Sequence, residues 1–223
     1  LMLHRPLAYT PGERVEYSCM GFILLGEILQ DRSGRSLSEL LASEVTGPMG
    51  LEYLQYAPVD PAQYSIAQTK DLSSGQRLEG IVHDENARFQ HGVSANAGLF
   101  SNLEDLLSFG SMLAQGGRVN GETYLSPAVL RTATRNYTAA HDEHRGLGFF
   151  LGSTQGSSLG DLCGDAAYGH TGFTGTSLLV VPEYELAVAF LSNRVLSDND
   201  SRATVRVRSL VHNAVVASVS SRA

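Results

Sequence analysis

Two apolar runs near the end of the chain, Leu178 to Val181 and Leu186 to Leu191, constrain its fold more than any other feature. Each is of strand length and shows no polar alternation, which predicts strands covered on both faces. Pro182-Glu183-Tyr184 separates them, so Thr176 to Val181 and Glu185 to Leu191 should form an antiparallel hairpin, with Gly146 to Leu151 as a further strand. Before residue 140, outside residues 48–98, the apolar period is helical, and a helical period returns near residue 200. Helices, then antiparallel strands, then a closing helix imply an α+β fold in which helices pack on an antiparallel sheet.

The helices carry start and stop signals. After Tyr17-Ser18-Cys19, the residues Met20, Ile23, Leu24, Leu25, Ile28 and Leu29 are apolar almost all the way round. This predicts a helix buried on most sides, with Gly21 and Gly26 permitting close packing. Ser36-Leu37-Ser38-Glu39 has the capping-box form and opens a short amphipathic helix that should end near Gly47-Pro48. Residues 48–98 lack helical period and read as a long, irregular but packed excursion. Ser101-Asn102-Leu103-Glu104 is a second capping box, before a helix that should stop at Gly116-Gly117. Ser126-Pro127 starts another, running to about Arg135. The apolar stripe Val207, Leu210, Val211, Ala214, Val215 and Val219 marks a last helix that should begin near Asp200 or Ser201, with acids at its positive end. With no internal repeat and 43% apolar residues, residues 1–223 read as one domain, helical to about 140 and strands plus a helix from about 141.

Charge and motifs narrow the function. A formal charge of −7 without a basic run argues against a nucleic-acid surface. No apolar stretch approaches the roughly 20 residues of a membrane span, and no targeting segment is visible, so location stays open. Cys19 and Cys163 make no disulfide framework. Cys19 is either a reactive thiol at a helix N-terminus or, the favoured reading, a small buried cysteine. His141-Asp142-Glu143-His144 offers two histidines without a second ligand cluster, so no metal is expected, and Gly146-Leu147-Gly148 lacks a further glycine at dinucleotide spacing, so no cofactor is. Gly156-Ser157-Ser158-Leu159-Gly160 matches a nucleophile elbow, with His212 as a conceivable base, but lacks the strand before and the helix after.

Gly169-His170-Thr171-Gly172-Phe173-Thr174-Gly175 sets a lone histidine among glycines and threonines just before the hairpin. Glycines within a strand mark close approach of a ligand or another backbone, so this is either one wall of an active site or a turn before an ordinary hairpin.

Three blocks in order, Pro11-Gly12-Glu13-Arg14-Val15-Glu16-Tyr17-Ser18-Cys19-Met20-Gly21-Phe22, Ala97-Gly98-Leu99-Phe100-Ser101 with Glu104-Asp105-Leu106, and Gly169-His170-Thr171-Gly172, resemble the beta-lactamase-related serine hydrolases. These comprise class C beta-lactamases, D-alanyl-D-alanine carboxypeptidases and esterases. Val82-His83-Asp84-Glu85-Asn86-Ala87 further resembles a subgroup that accompanies cell-wall recycling enzymes. The resemblance implies a beta-lactamase/DD-peptidase-like fold and an acyl-enzyme formed on an ester, amide or cell-wall peptide, with no cofactor. It implies that Tyr17 moves the proton of an attacking serine, that His170 presents a charge or donor to the substrate, and that Thr171 adds a hydroxyl. The Phe173 N–H would be an oxyanion donor, and Gly172 would let the substrate approach.

Cys19 stands where lactamases carry asparagine, and His170 where they carry lysine, which points to esterase or peptidase chemistry. The larger departure is the nucleophile. Lys70 is the only lysine and Ala67 lies three residues before it, so no Ser-x-x-Lys exists in these 223 residues. The resemblance places that motif upstream of the tyrosine, and Leu1-Met2-Leu3-His4 resembles the segment after the nucleophile helix, with an abrupt passage to Pro6. The expectation is a fold incomplete at the N-terminus, unable as it stands to form the acyl-enzyme. The competing expectation is a non-catalytic binding protein on the same fold.

Overall fold

The computed structural model describes residues 6–196 and 201–220. Leu1 to His4 and the acids expected before the last helix, Asp198 and Asp200, lie outside the described residues.

Helix α1 spans Cys19–Ser33 and starts where Ser18 Oγ accepts the Gly21 N–H at 3.1 Å. It ends at Gly34, whose left-handed φ of 67° lets its N–H reach the Gln30 carbonyl. Only Ile23 and Gly26 are buried, while Met20, Phe22, Leu25, Ile28 and Leu29 are each at least 39% exposed. The expectation of a helix buried on most sides is therefore corrected. Its contacts run along one stripe, where a Cβ at Gly26 would lie 2.8 Å from Ala95 Cβ and 3.4 Å from Leu37 Cδ1.

The Ser36 capping box forms with both its bonds, Glu39 N–H to Ser36 Oγ and Ser36 N–H to Glu39 Oε2. The helix it opens ends near Gly47-Pro48 as expected, but not as one regular α-helix: α2 (Leu37–Leu40) continues as a π-helical stretch, Leu41–Thr46, into α3 (Gly47–Met49). Pro48 has no N–H for the Glu44 carbonyl four residues back, and the Tyr124 hydroxyl donates to that carbonyl instead.

The excursion contains two short antiparallel ladders, β1 (Gln55–Tyr56) with β4 (Leu99–Phe100) and β2 (Thr69–Lys70) with β3 (Arg77–Leu78). Helix α4 (Glu85–Phe89) is capped by Asp84, and Arg88 pairs with Asp71. Helix α5 (Leu103–Ala114) begins one residue later than the predicted capping box. Asn102 Oδ1, not Ser101, caps it by accepting the Asp105 N–H at 2.8 Å. This leaves Asp105 Oδ2 to accept the N–H groups of Tyr53 and Leu54, tying the excursion to the helix. The helix ends before Gly116-Gly117 as expected, and β5 (Arg118–Val119) pairs with β6 (Glu122–Thr123). Ser126 caps α6, Pro127–Ala133.

The main sheet is an antiparallel meander in the order β10-β9-β8-β7, with β7 at Phe150–Leu151, β8 at Tyr168–Thr171, β9 at Ser177–Val181 and β10 at Leu186–Phe190. The first strand is shorter than predicted because Gly148, at φ 80°, turns the chain back before Phe150. Both faces are covered, as the apolar runs required. Val180 and Tyr168 pack with Met112 and Leu113 of α5, while Leu179, Val181 and Val188 pack with Leu159, Cys163 and Val216.

Val216 belongs to α7, Ser201–Ser220. Its buried positions are Arg208, His212 and Val216, spaced four apart, whereas Val207 and Leu210 are exposed. The predicted stripe is thus misplaced by about one residue. Two polar side chains can face inward because each has partners there: Arg208 Nη2 donates to the Gly172 carbonyl, and His212 bonds Leu159 and Ser177.

Candidate active site

Strand β8 and the residues just before α1 meet at a cleft of about 330 Å³. Tyr17, Cys19, His170, Thr171, Gly172 and Phe173, all singled out from sequence, line it together. The Tyr17 ring centroid lies 6.3 Å from that of His170, which leans on Phe150 at 4.8 Å. The Arg145 guanidinium covers the other aromatic surface, 3.6 Å from the Phe150 centroid and 5.9 Å from that of Tyr17, and pairs with Glu143.

His170 Nδ1 lies 2.9 Å from the Thr171 carbonyl. A carbonyl only accepts, so Nδ1 carries the hydrogen and Nε2 of the neutral ring keeps its lone pair. Burial lowers the His170 pKa below its ordinary value, and the nearby Arg145 and Arg208 charges lower it further against the Thr171 bond. At neutral pH the free cleft therefore meets an acceptor at His170, not the charge or donor implied by the resemblance.

Burial raises the Tyr17 pKa; the charge and hydrogen bond of Cys19 and the charge of Asp84 add to it, and Arg145 only partly opposes them. Cys19 occupies the first turn of α1, partly exposed on the cleft lining, so the favoured reading of it as a small buried cysteine is corrected.

The turn after β8 is held from three sides. The Gly172 N–H donates to the Thr176 carbonyl at 2.7 Å, and a Cβ at Gly172 would lie 2.1 Å from Thr176 Oγ1. That glycine makes room for Thr176, in addition to whatever approaches from the cleft. The Gly172 carbonyl accepts from Arg208 at 3.0 Å, and the Phe173 carbonyl accepts from Arg194 Nε. The Phe173 ring lies between the Arg194 guanidinium, at 4.1 Å, and the His83 ring, at 5.5 Å. Because a trans peptide directs its C=O and N–H oppositely, the Phe173 N–H points away from Arg208.

Ser158 and His212 are not brought into a catalytic pair. His212 is fully buried, with Nδ1 donating to the Leu159 carbonyl at 2.9 Å and Nε2 within 3.1 Å of Ser177 Oγ. Both nitrogens are therefore occupied, and Ser158 lies in a loop. His144 Nδ1 bonds Ser153 Oγ, and the described residues contain no group of three or more potential metal ligands. Sequence reasoning missed Asp84, Arg194 and Arg208 on the cleft lining. Asp84 stood within a quoted block; Arg208 gave no signal, since an arginine in a helix, here between Val207 and Ser209, reads as its solvent side.

A family model described as Beta-lactamase matches residues 1–212. An N-acetylmuramyl-L-alanine amidase of Bacillus subtilis (strain 168) is 32% identical over 208 residues, covering 85% of this chain and 46% of that protein. A protein of Escherichia coli (strain K12), provisionally named a D-alanyl-D-alanine carboxypeptidase, is 30% identical over 209 residues, covering 85% of this chain and 47% of its own. The chain thus spans about half the length of these relatives. A crystal structure of a beta-lactamase from Mycobacterium bovis superposes with a TM-score of 0.68 at 22% identity, over 95% of this chain and 66% of that one, and shows the shared fold.

Proposed function

The chain belongs to the beta-lactamase family, and on that premise we propose that it forms one wall of a serine-hydrolase cleft acting through an acyl-enzyme on an ester, amide or cell-wall peptide. The observation that carries this reading is the meeting of Tyr17 and His170 beside the Gly172-Phe173 turn, from opposite ends of the chain. The seryl nucleophile comes from a Ser-x-x-Lys segment outside these 223 residues, because none occurs within them.

In this arrangement Tyr17 takes the serine proton and returns it to the leaving group. A phenol with a raised pKa is a poor base, so a further cation is required, and the lysine of Ser-x-x-Lys supplies it. The Phe173 N–H, oriented by Arg208 and Arg194, is one donor to the oxyanion. His170 Nε2 accepts a hydrogen bond from the substrate.

A fluorescent phosphonate or penicillin probe should label the longer protein at its upstream serine, and Tyr17→Phe should slow labelling by about 10²-fold or more. A folded longer protein that takes no label sinks the assignment. The raised Tyr17 and neutral His170 also favour a second reading, a binding protein that kept the cleft without chemistry; it requires that Ser-x-x-Lys be absent upstream.

A further inference from the structure

Asp84 is the single acidic side chain on the cleft lining among the described residues. Its Oδ1 is fully engaged, accepting the Ala87 N–H at 2.9 Å and Asn96 Nδ2 at 3.1 Å. Its Oδ2 has no hydrogen-bond or ion-pair partner among the described residues. Capping α4 needs only Oδ1, and asparagine caps a helix as well as aspartate does. The charge on Asp84 is therefore surplus to the fold.

That charge also works against the chemistry proposed above. It lies close enough to Tyr17 to push the phenol towards its neutral form. Arg194 and Arg208 line the same cleft, and Arg208, only 4% exposed, keeps a buried Nε without a hydrogen-bond partner among the described residues. The lining is thus cationic apart from one carboxylate with a free oxygen. Such a surface fits a ligand that is anionic at one part and carries a compact cation at another.

We propose that Asp84 is a specificity-determining residue which selects substrates carrying a free ammonium group, bound through Asp84 Oδ2. This rests on the assignment of the cleft as the substrate site. It also gives the carboxylate a place in the cycle: an ammonium bound at Oδ2 cancels its field at Tyr17, so the correct substrate relieves the penalty on the phenolate that the free cleft imposes.

The test is equilibrium binding to this chain, which needs no turnover. D-alanyl-D-alanine and N-acetyl-D-alanyl-D-alanine differ in the ammonium, and titration by calorimetry or by amide chemical shifts gives both dissociation constants. The free amine should bind about tenfold tighter, and Asp84→Asn should bring the two ligands to equal affinity with the α4 cap intact. Asp84→Ser, which keeps a capping oxygen, must do the same, so a folding fault in one variant does not decide the outcome. Equal affinities in the unaltered chain, binding of neither peptide, or a preference that survives both substitutions overturns the proposal. Failure of the hydrolase assignment is read separately, by probe labelling of the longer protein.

Discussion

Arg208 and Gly172 are joined by a hydrogen bond of 3.0 Å from Nη2 to the carbonyl, which ties the C-terminal helix to the turn that closes the cleft. The contact does two things at once, holding α7 on the sheet and fixing the peptide plane that carries the Phe173 N–H. Arg208→Met keeps the apolar stem and removes the donor. It should lower the unfolding free energy by about 1–3 kcal/mol, the range for losing a hydrogen bond from a charged donor to a partly buried carbonyl. It should also speed amide exchange at Phe173. Urea denaturation and exchange followed by NMR check both; unchanged exchange would mean that Arg194 by itself holds the turn.

His212 should make the fold sensitive to acid. Burial depresses its pKa below the ordinary 6.5, with the Arg208 charge adding to this against the Leu159 bond. The unfolded chain then binds a proton more readily than the folded one. Stability is fully present above about pH 6.5 and is lost as pH falls from there towards the folded pKa. His170 is shifted the same way and contributes in the same window. Urea titrations at pH 7.5 and 5.5 should show a drop that is smaller, but not abolished, in His212→Gln. An equal drop in that variant would remove His212 from the account.

The two thiols should be distinguishable by alkylation. Cys163 is buried, its thiol donates to the Gly160 carbonyl, and burial pushes its pKa up, so little thiolate reaches solvent. Cys19 is partly exposed in the cleft. Iodoacetamide on the native chain should therefore add one carbamidomethyl group, located at Cys19 by peptide mass, and a second only after denaturation. Labelling at Cys163 under native conditions would show that the loop around Gly160 opens.

What could be read from sequence follows from what fixes each feature. Local chemistry was legible: the Ser36 box, the Ser126-Pro127 start, the stop at Gly116-Gly117 and the hairpin at Pro182 each depend on a few neighbouring side chains. Tyr17 and Cys19 were legible through the resemblance of their block to the beta-lactamase-related hydrolases, and His170 to Phe173 through that resemblance and their run of glycines and threonines; they converge on one cleft. The inward face of α7 was not, because Arg208 and His212 are satisfied by Gly172, Leu159 and Ser177, partners distant in sequence that no periodicity reveals. The partner of the Glu44 carbonyl was hidden for the same reason, since it is the hydroxyl of Tyr124, far along the chain.

Helix α1 offers a test in which one substitution should have opposite effects at two sites five residues apart along the same helix, Gly21 and Gly26. At Gly21 an added Cβ would meet only Ser18, at 3.6 Å from Oγ and 3.8 Å from Cβ, which is ordinary contact. Alanine there loses no packing and gains helix propensity, about 0.5–1 kcal/mol over glycine. At Gly26 the same Cβ would lie 2.8 Å from Ala95 Cβ, an atom that cannot swing away without moving its backbone. The propensity gain is equal, but overpacking costs about 1–3 kcal/mol and outweighs it. Gly21→Ala should raise the urea midpoint and Gly26→Ala should lower it. If both rise, the loop at Ala95 is free to retreat, and the single buried stripe of α1 is a looser contact than its geometry implies.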